Sequence, residues 1–401
     1  LCLALRKNLP LGFDYNKSPS FSKIMKIVFL VRSLNFGGVE RQLVILAKGM
    51  DKTRFEPVVL CFYGGGALQA EMAQAGIRVI SLDKHNRWDV IGFLWRLSRT
   101  IGELKPDVLH GYLPVPNFLA ALSKLVYPSM QVVLGVRTSG KELGNYDWTF
   151  RVSFWLERLF ARLADLVIVN SQAGKTAYLK KGFPPEKMVV ISNGIDTGIF
   201  HPEAELGRAL RAQWGVAETA LLVGIIGRLD PMKGHPVFLK AAAALERPDI
   251  CFVVVGDGPQ AYRHRLVDLA ISLGLDKRLV WAASRQDVTQ VYNALDICCS
   301  ASLFGEGFPN VVGEAMACGI PCVVTEVGDS AWVAGATGIA AAPNDCNALS
   351  EAIAGLSRLS REERSSLGQQ ARQRVVENFS AELMVRHTEN ALEALVGDRR
   401  R

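Results

Sequence analysis

The sequence predicts an α/β protein made of two doubly wound domains with parallel sheets. Three observations carry that prediction. Short apolar runs such as Met25-Lys26-Ile27-Val28-Phe29-Leu30-Val31 lack polar alternation, as strands covered on both faces do. These runs alternate with helical patterns, the order that winds a parallel sheet. After a stretch rich in turn residues the series starts again, so the 401 residues divide into two domains.

In chain order, residues 1–24 run through Pro10, Pro19 and several Ser without periodicity and read as a leader foreign to the fold. The first domain spans residues 25–192. Its strand 27–31 leads to Gly37-Gly38 and a helix marked by Leu43, Leu46 and Met50. Runs 56–62, 79–82, 108–110, 132–136 and 166–169 follow as strands. Asn193-Gly194-Ile195-Asp196 opens a turn-rich hinge that continues to Pro202. The second domain, residues 203–380, begins its strands at 221–226 and continues at 251–255, 279–281, 297–300 and 321–325. A break at Asn378-Phe379-Ser380 precedes a last helix, 381–396, expected to return to the first domain. Two such Rossmann-like domains facing each other would line a cleft with strand carboxyl ends, where ligands of open α/β sheets bind.

Composition removes several function classes. Hydrophobic residues at 49% and charged residues at 21% exclude a disordered or collagen-like chain. No apolar run reaches the roughly 18 residues of a membrane span, and a cytoplasmic location is expected. The eight cysteines include no C-x-x-C pair, so they read as reduced, buried hydrophobes rather than zinc ligands. Charge is uneven: residues 25–190 hold 22 Lys/Arg against 13 acids, while residues 191–401 hold 20 against 25. Domains of opposite sign point to different partners.

Chemistry is concentrated in the loops after strands. Gly227-Arg228-Leu229-Asp230-Pro231-Met232-Lys233-Gly234 places a planar guanidinium and a mobile ammonium at a strand end, suited to the charge of a diphosphate leaving group. In Glu306-Gly307-Phe308-Pro309-Asn310-Val311-Val312-Gly313-Glu314, Pro309 fits the first turn of a helix whose Asn310 and Val311 amides face an anion or sugar hydroxyls. A carboxylate at Glu314 suits two ribose hydroxyls, and Glu306 a hexose hydroxyl. Gly37-Gly38 would let main chain approach a phosphate. Gly256-Asp257-Gly258-Pro259-Gln260-Ala261 matches a dinucleotide fingerprint but lacks the acid expected about 20 residues later. In the first domain, His110 and Arg137 end their strands and point toward the expected cleft.

Together with Asn35-Phe36-Gly37-Gly38-Val39-Glu40-Arg41 and Val169-Asn170-Ser171, these motifs occur in an order that resembles the retaining glycosyltransferases of family 4 (group 1), which have the GT-B fold. The resemblance covers residue 25 to the end. It implies a nucleotide-diphosphate-sugar held by the second domain as co-substrate, and an acceptor on the first. It also implies that Arg228 and Lys233 bind the diphosphate, Glu314 the ribose and Glu306 the donor sugar. Gly307, Phe308, Asn310 and Val311 then complete the donor side with Gly37 and Gly38, His110 joins Arg228, Lys233 and Glu306 as a catalytic candidate, and Tyr112 and Arg137 face the acceptor. The family often has a second His two positions beyond His110, where this chain has Tyr112, and a Gly where Ala283 stands. No Asp-x-Asp motif is present, and no metal or other cofactor is expected. An epimerase of the same fold and a two-lobed sugar-binding protein are the alternatives.

Two stretches interleave aromatics with arginines at helical spacing. One runs from Arg87-Trp88 to Trp95-Arg96-Leu97-Ser98-Arg99, the other from Trp148 to Phe160. With the positive first domain, they are expected to touch an anionic membrane surface that presents a glycan or lipid-linked acceptor, with no role for nucleic acid. The competing expectation is that these aromatics pack into the core.

Overall fold

The structure is a computed structural model that describes residues 24–86, 88–137 and 155–397. It divides into two compact units, one running to Gly194 and resuming at Ala381, the other spanning Ile195–Ser380.

The first unit holds seven strands: β1 (Met25–Val31), β2 (Phe55–Cys61), β3 (Arg78–Ser81), β4 (Val108–Tyr112), β5 (Gln131–Val136), β6 (Leu166–Val169) and β7 (Met188–Val190). They pair in the order β3-β2-β1-β4-β5-β6-β7, and every pair is parallel. The order reverses direction between β1 and β4, which sets the switch point of this sheet. Ile27, Phe29 and Val31 point into one core layer, and Val28 and Leu30 into the other. Alternate residues of β1 thus serve opposite faces, which is why the strand is apolar from Ile27 to Val31. The helix Ala381–Gly397 closes one layer with Met384, Val385, Leu392 and Val396. Its buried Glu389 and Glu393 both pair with Arg54, Glu389 at 3.6 Å.

The second unit holds β8 (Leu221–Ile226), β9 (Ile250–Val255), β10 (Leu279–Ala282), β11 (Ile297–Ser300), β12 (Cys322–Thr325) and β13 (Gly338–Ala341). Their order is β10-β9-β8-β11-β12-β13, also parallel throughout, with the reversal between β8 and β11. The described cysteines are unpaired, and Cys298, Cys299, Cys318 and Cys322 lie in the buried interior. No helix among the described residues is long and apolar enough to cross a membrane.

The outermost strands β7 and β13 were not expected from the sequence. Met188–Val190 is three residues long and Gly338–Ala341 carries mostly small side chains, so neither shows a usable apolar run. β4 also extends beyond residue 110 to Tyr112. His110 is therefore an interior strand residue and not a strand end.

One buried carboxylate in the first unit has an outcome that can be measured. The Asn117 side chain brackets Gly135 of β5, donating to its carbonyl and accepting from its amide at 3.0 Å each. The same amide nitrogen donates to Glu157 Oε1 at 2.6 Å, and Glu157 is 1% exposed with Oε2 unpartnered. Burial pushes the Glu157 carboxyl up to about 8, against the opposing pull of Asn117 and the Lys181 charge. A carboxyl raised in the folded state binds more protons there than in the unfolded chain, so its ionisation costs stability as pH rises from about 4.5 to 8. Glu157→Gln should therefore gain stability over the parent at pH 8.5 and lose that advantage below pH ~4.5. Urea unfolding across the pH range checks this, and a stability difference that is flat with pH would contradict it.

Candidate active site

The second unit gathers its polar residues at the carboxyl ends of β8 and β11, the pair that flanks its switch point. Close main-chain contacts build the floor. Gly256 follows β9 at φ 149°, and a Cβ there would sit 2.0 Å from the carbonyl oxygen of Gly227. Gly234, at φ 68°, would place a Cβ 1.9 Å from the Ala301 carbonyl oxygen, so only glycine lets the loop after β8 cross the end of β11. Asp230 caps the short turn Pro231–Lys233 by accepting from the Met232 amide at 2.9 Å.

That turn aims Lys233 at Glu306. Lys233 Nζ donates to Glu306 Oε1 at 2.5 Å, and the Ser302 hydroxyl donates to the same oxygen at 2.7 Å. Glu306 is 7% exposed, so this is a largely desolvated ion pair. Arg228 projects outward, with its guanidinium 3.1 Å from Asp230 Oδ2. The loop beyond Glu306 is held by Asp329, whose amide donates to the Gly307 carbonyl at 3.1 Å.

The helix Asn310–Ala317 then carries Glu314. Pro309 caps this helix at φ −83° and ψ 89° and is not its first residue, one position earlier than the sequence pattern implies. Glu314 Oε2 accepts from the Tyr292 hydroxyl at 2.6 Å. Burial, reinforced by the Glu314 charge, holds the Tyr292 phenol well above its ordinary range, so it stays protonated and donates. Neither Tyr292 nor Ser302 was among the expected site residues. Ser302 stands four positions before Glu306, a spacing that means nothing until the loop folds, and Tyr292 lies in the unremarkable helix Val288–Ala294. Gly307 is buried, Asn310 and Val311 are half-buried, and the Phe308 ring packs edge-on against Phe379 at 5.4 Å. The Phe308 side chain thus serves the core and not a ligand.

In the first unit, Gly37 caps the helix Gly38–Gly49 beside the carboxyl end of β1, and both glycines are exposed. His110 corrects an expectation. It is fully buried beneath Tyr112 and Phe29, at ring distances of 4.7 and 5.5 Å, with neither ring nitrogen partnered. Burial, with the nearby Arg137 charge, holds its pKa well below the ordinary value, so the imidazole is neutral. Enclosed in this way, His110 is a core residue beneath Tyr112. Tyr112 and Arg137 do meet: Arg137 Nη2 donates to the Tyr112 hydroxyl at 3.0 Å, and Nη1 to Asn193 Oδ1 at 3.3 Å.

The stretch at 88–99 divides between the two expectations. Phe93, Leu97, Ile101 and Leu104 form the inward face of the helix Val90–Leu104. Trp88, Ile91 and Trp95 are 83%, 86% and 61% exposed, and the Arg99 guanidinium lies 5.4 Å over the Trp95 ring. Arg96 is occupied internally by Asp89 and the Leu82 carbonyl. Arg87 and residues 148–154 lie outside the described residues, while Trp155 and Leu159 are exposed.

Two parallel-sheet domains with these strand-end loops define a glycosyltransferase of the GT-B fold. The family is fixed by two models, "Glycosyltransferase Family 4" over residues 36–198 and "Glycosyl transferases group 1" over residues 220–358, and the chain belongs to this group. EpsF of Bacillus subtilis is 24% identical over 75% of this chain and 79% of its own length. A D-inositol 3-phosphate glycosyltransferase of Mycolicibacterium vanbaalenii is 28% identical over 70% of this chain, which spans only 59% of that relative. Among solved structures, Anabaena HepE in complex with UDP superposes with a TM-score of 0.82 at 25% identity, covering 92% of this chain and all of HepE.

The Lys233–Glu306 contact yields a prediction that needs no substrate. Replacing Lys233 by Met strands a buried carboxylate, and replacing Glu306 by Gln strands an ammonium, so each should cost on the order of 2 kcal/mol. The double variant should cost less than the sum, with a coupling of about 2 kcal/mol in a double-mutant cycle of urea unfolding. Additive losses would show that the contact contributes nothing to the folded state.

Proposed function

We propose that this glycosyltransferase is retaining and metal-independent, and that its second unit holds a nucleotide-diphosphate-sugar while its first takes a hydroxyl acceptor. The observation that carries the proposal is the Lys233–Glu306 pair, which shares its loops with Arg228 and is followed by the helix that carries the Tyr292-held Glu314. Arg228 and Lys233 receive the diphosphate, Glu306 a hydroxyl of the donor sugar, and Glu314 the ribose. The Tyr292 hydroxyl donates to Glu314 Oε2 and so orients the carboxylate. Tyr292 is a positioning residue. As the bond from the anomeric carbon to the β-phosphate oxygen breaks, the charge left on that oxygen grows, and a preorganised ammonium and guanidinium stabilise it most at that moment. The acceptor oxygen bonds to the anomeric carbon on the same face, and its proton passes to the departing phosphate.

A uridine diphosphate sugar is the donor to test first, because the HepE structures hold UDP and UDP-glucose. An Escherichia coli relative, 27% identical over 58% of this chain, is named UDP-Gal:alpha-D-GlcNAc-diphosphoundecaprenol alpha-1,3-galactosyltransferase, and this name supports a glycan or lipid-linked acceptor. It and the Mycolicibacterium relative are named as transferases, which favours transfer over epimerisation or simple sugar binding.

Incubation with UDP-sugars and a panel of glycan acceptors should give α-linked product from an α-linked donor, at the same rate in EDTA. Lys233→Ala should lower kcat/KM by about a hundredfold, some 3 kcal/mol of transition-state stabilisation. Inverted product, loss of activity in EDTA, or near-parental turnover by the variant would each overturn a named part of the reading.

The exposed Trp88, Ile91 and Trp95 and the excess of 22 basic over 13 acidic residues in 25–190 support docking on an anionic bilayer. Co-sedimentation should rise with the fraction of anionic lipid, fall with salt, and weaken at least threefold in Trp88→Ser/Trp95→Ser. Equal recovery from neutral and anionic vesicles would favour a soluble acceptor.

A further inference from the structure

Arg137 is 9% exposed at the carboxyl end of β5, yet no carboxylate among the described residues lies within ion-pair distance of it. Its neighbours are neutral. The Tyr112 hydroxyl and the Asn193 amide oxygen each accept one hydrogen bond, and the Tyr112 ring lies 4.6 Å beneath the guanidinium carbon. Its Nε is buried with no acceptor. The Tyr112 hydroxyl stays protonated because burial raises its pKa, and the His110 ring below is neutral, so neither supplies the missing negative charge. By contrast, Lys233 is paired with Glu306, and Arg54 with Glu389 and Glu393.

A desolvated charge without a counter-ion is costly, and a guanidinium with unused N–H groups has the fork geometry of a phosphate or carboxylate clamp. Tyr112 fixes the plane of the fork from below and Asn193 from one edge, so the donors are preorganised and the entropy of arranging them is already lost. The position is also the expected one for a ligand, beside the β1–β4 reversal of the first sheet and at strand carboxyl ends.

We infer that Arg137, held by Tyr112 and Asn193, forms an anion subsite for a phosphate or diphosphate group carried by the acceptor. The inference rests on the reading that the first unit takes the acceptor, and it deepens that reading by giving the acceptor class: a phosphorylated saccharide, either lipid-linked through a diphosphate or soluble as a sugar phosphate. Tyr112 and Asn193 are positioning residues in this subsite.

The test uses the full chain saturated with UDP, so that the diphosphate-binding loops of the second unit are already filled. Isothermal titration then follows three probes: glucose 1-phosphate, geranyl diphosphate and the neutral methyl α-glucoside. The parent protein should bind at least one phosphate probe about tenfold more tightly than Arg137→Gln does. Arg137→Lys, which keeps the charge and loses the fork, should fall between the two, and the glucoside should not distinguish the three proteins. Tighter binding of geranyl diphosphate assigns the subsite to a lipid-linked acceptor, and tighter binding of glucose 1-phosphate to a soluble one. Equal phosphate affinity in the parent and Arg137→Gln overturns the inference, as does failure of both phosphates to bind the UDP-loaded parent. If Arg137→Gln does not fold, the same comparison is made with Arg137→Lys, where equal affinity overturns the guanidinium assignment. UDP binding is measured in the same cell: its absence counts against the donor reading, whereas UDP bound without any phosphate effect overturns the subsite alone.

Discussion

The second unit is organised around a single contact, the ammonium of Lys233 against the carboxylate of Glu306. The two residues reach each other from loops that leave neighbouring strands, β8 and β11. The contact exists because backbone is allowed to come close: Gly234 slides under the Ala301 carbonyl, and Gly328 leaves room for the Glu306 carbonyl, which would lie 2.3 Å from a Cβ at that site. The β8 loop is therefore short of side-chain bulk where it crosses the end of β11, the segment after β12 is short of it behind Glu306, and the β8 and β11 loops each deliver one charged group. Ser302 adds a second hydrogen bond to Glu306 Oε1, so the carboxylate is fixed before any ligand arrives. A charged pair built in this way is electrically quiet on its own. In the proposed reaction, an incoming diphosphate competes for the ammonium and leaves the carboxylate to a hydroxyl.

Much of this was legible in the residues themselves. Met25–Val31 and Leu221–Ile226 read as strands covered on both faces, and they are the central strands on either side of which each sheet is built. Arg228, Lys233, Glu306 and Glu314 were legible as a charged set because glycine and proline bracket them. What escaped has a common physical origin. Tyr292 and Ser302 acquire their roles only through tertiary contact, at separations of 22 and 4 residues from their partners, and neither type is unusual where it stands. His110 misled for the opposite reason. An apolar run of three residues seemed to end there, but the strand continues through Gly111 and Tyr112, and the two-residue extension turns an apparent strand-end group into a core group. Edge strands such as Met188–Val190 carry too few residues for any periodicity to register.

The departure at Tyr112 from the pattern of the family also becomes intelligible. A histidine at this position would titrate near neutrality in an ordinary setting, whereas the Tyr112 phenol, raised by burial, remains a neutral acceptor for Arg137 across the whole physiological range. The substitution trades a group that can change charge for one that holds a permanent cation in place. The two units thus treat charge differently. In the second unit the Lys233 ammonium is cancelled by Glu306, whereas Arg137 of the first has no carboxylate partner among the described residues.

The C-terminal helix has a bearing on biosynthesis. Met384, Val385, Leu392 and Val396 belong to the same core layer as Ile27 and Phe29, although the whole second unit is encoded between them. During synthesis the first unit can therefore pair its strands early but must keep part of one apolar layer uncovered until this helix leaves the ribosome. The second unit, continuous from Ile195 to Ser380, has no such wait. At roughly 5–20 residues per second, the interval between completing β7 and releasing the helix is on the order of ten seconds or more, long enough for a chaperone to occupy the bare layer. Truncations that spare every strand and every charged loop can still leave the first-made half of the molecule unfinished.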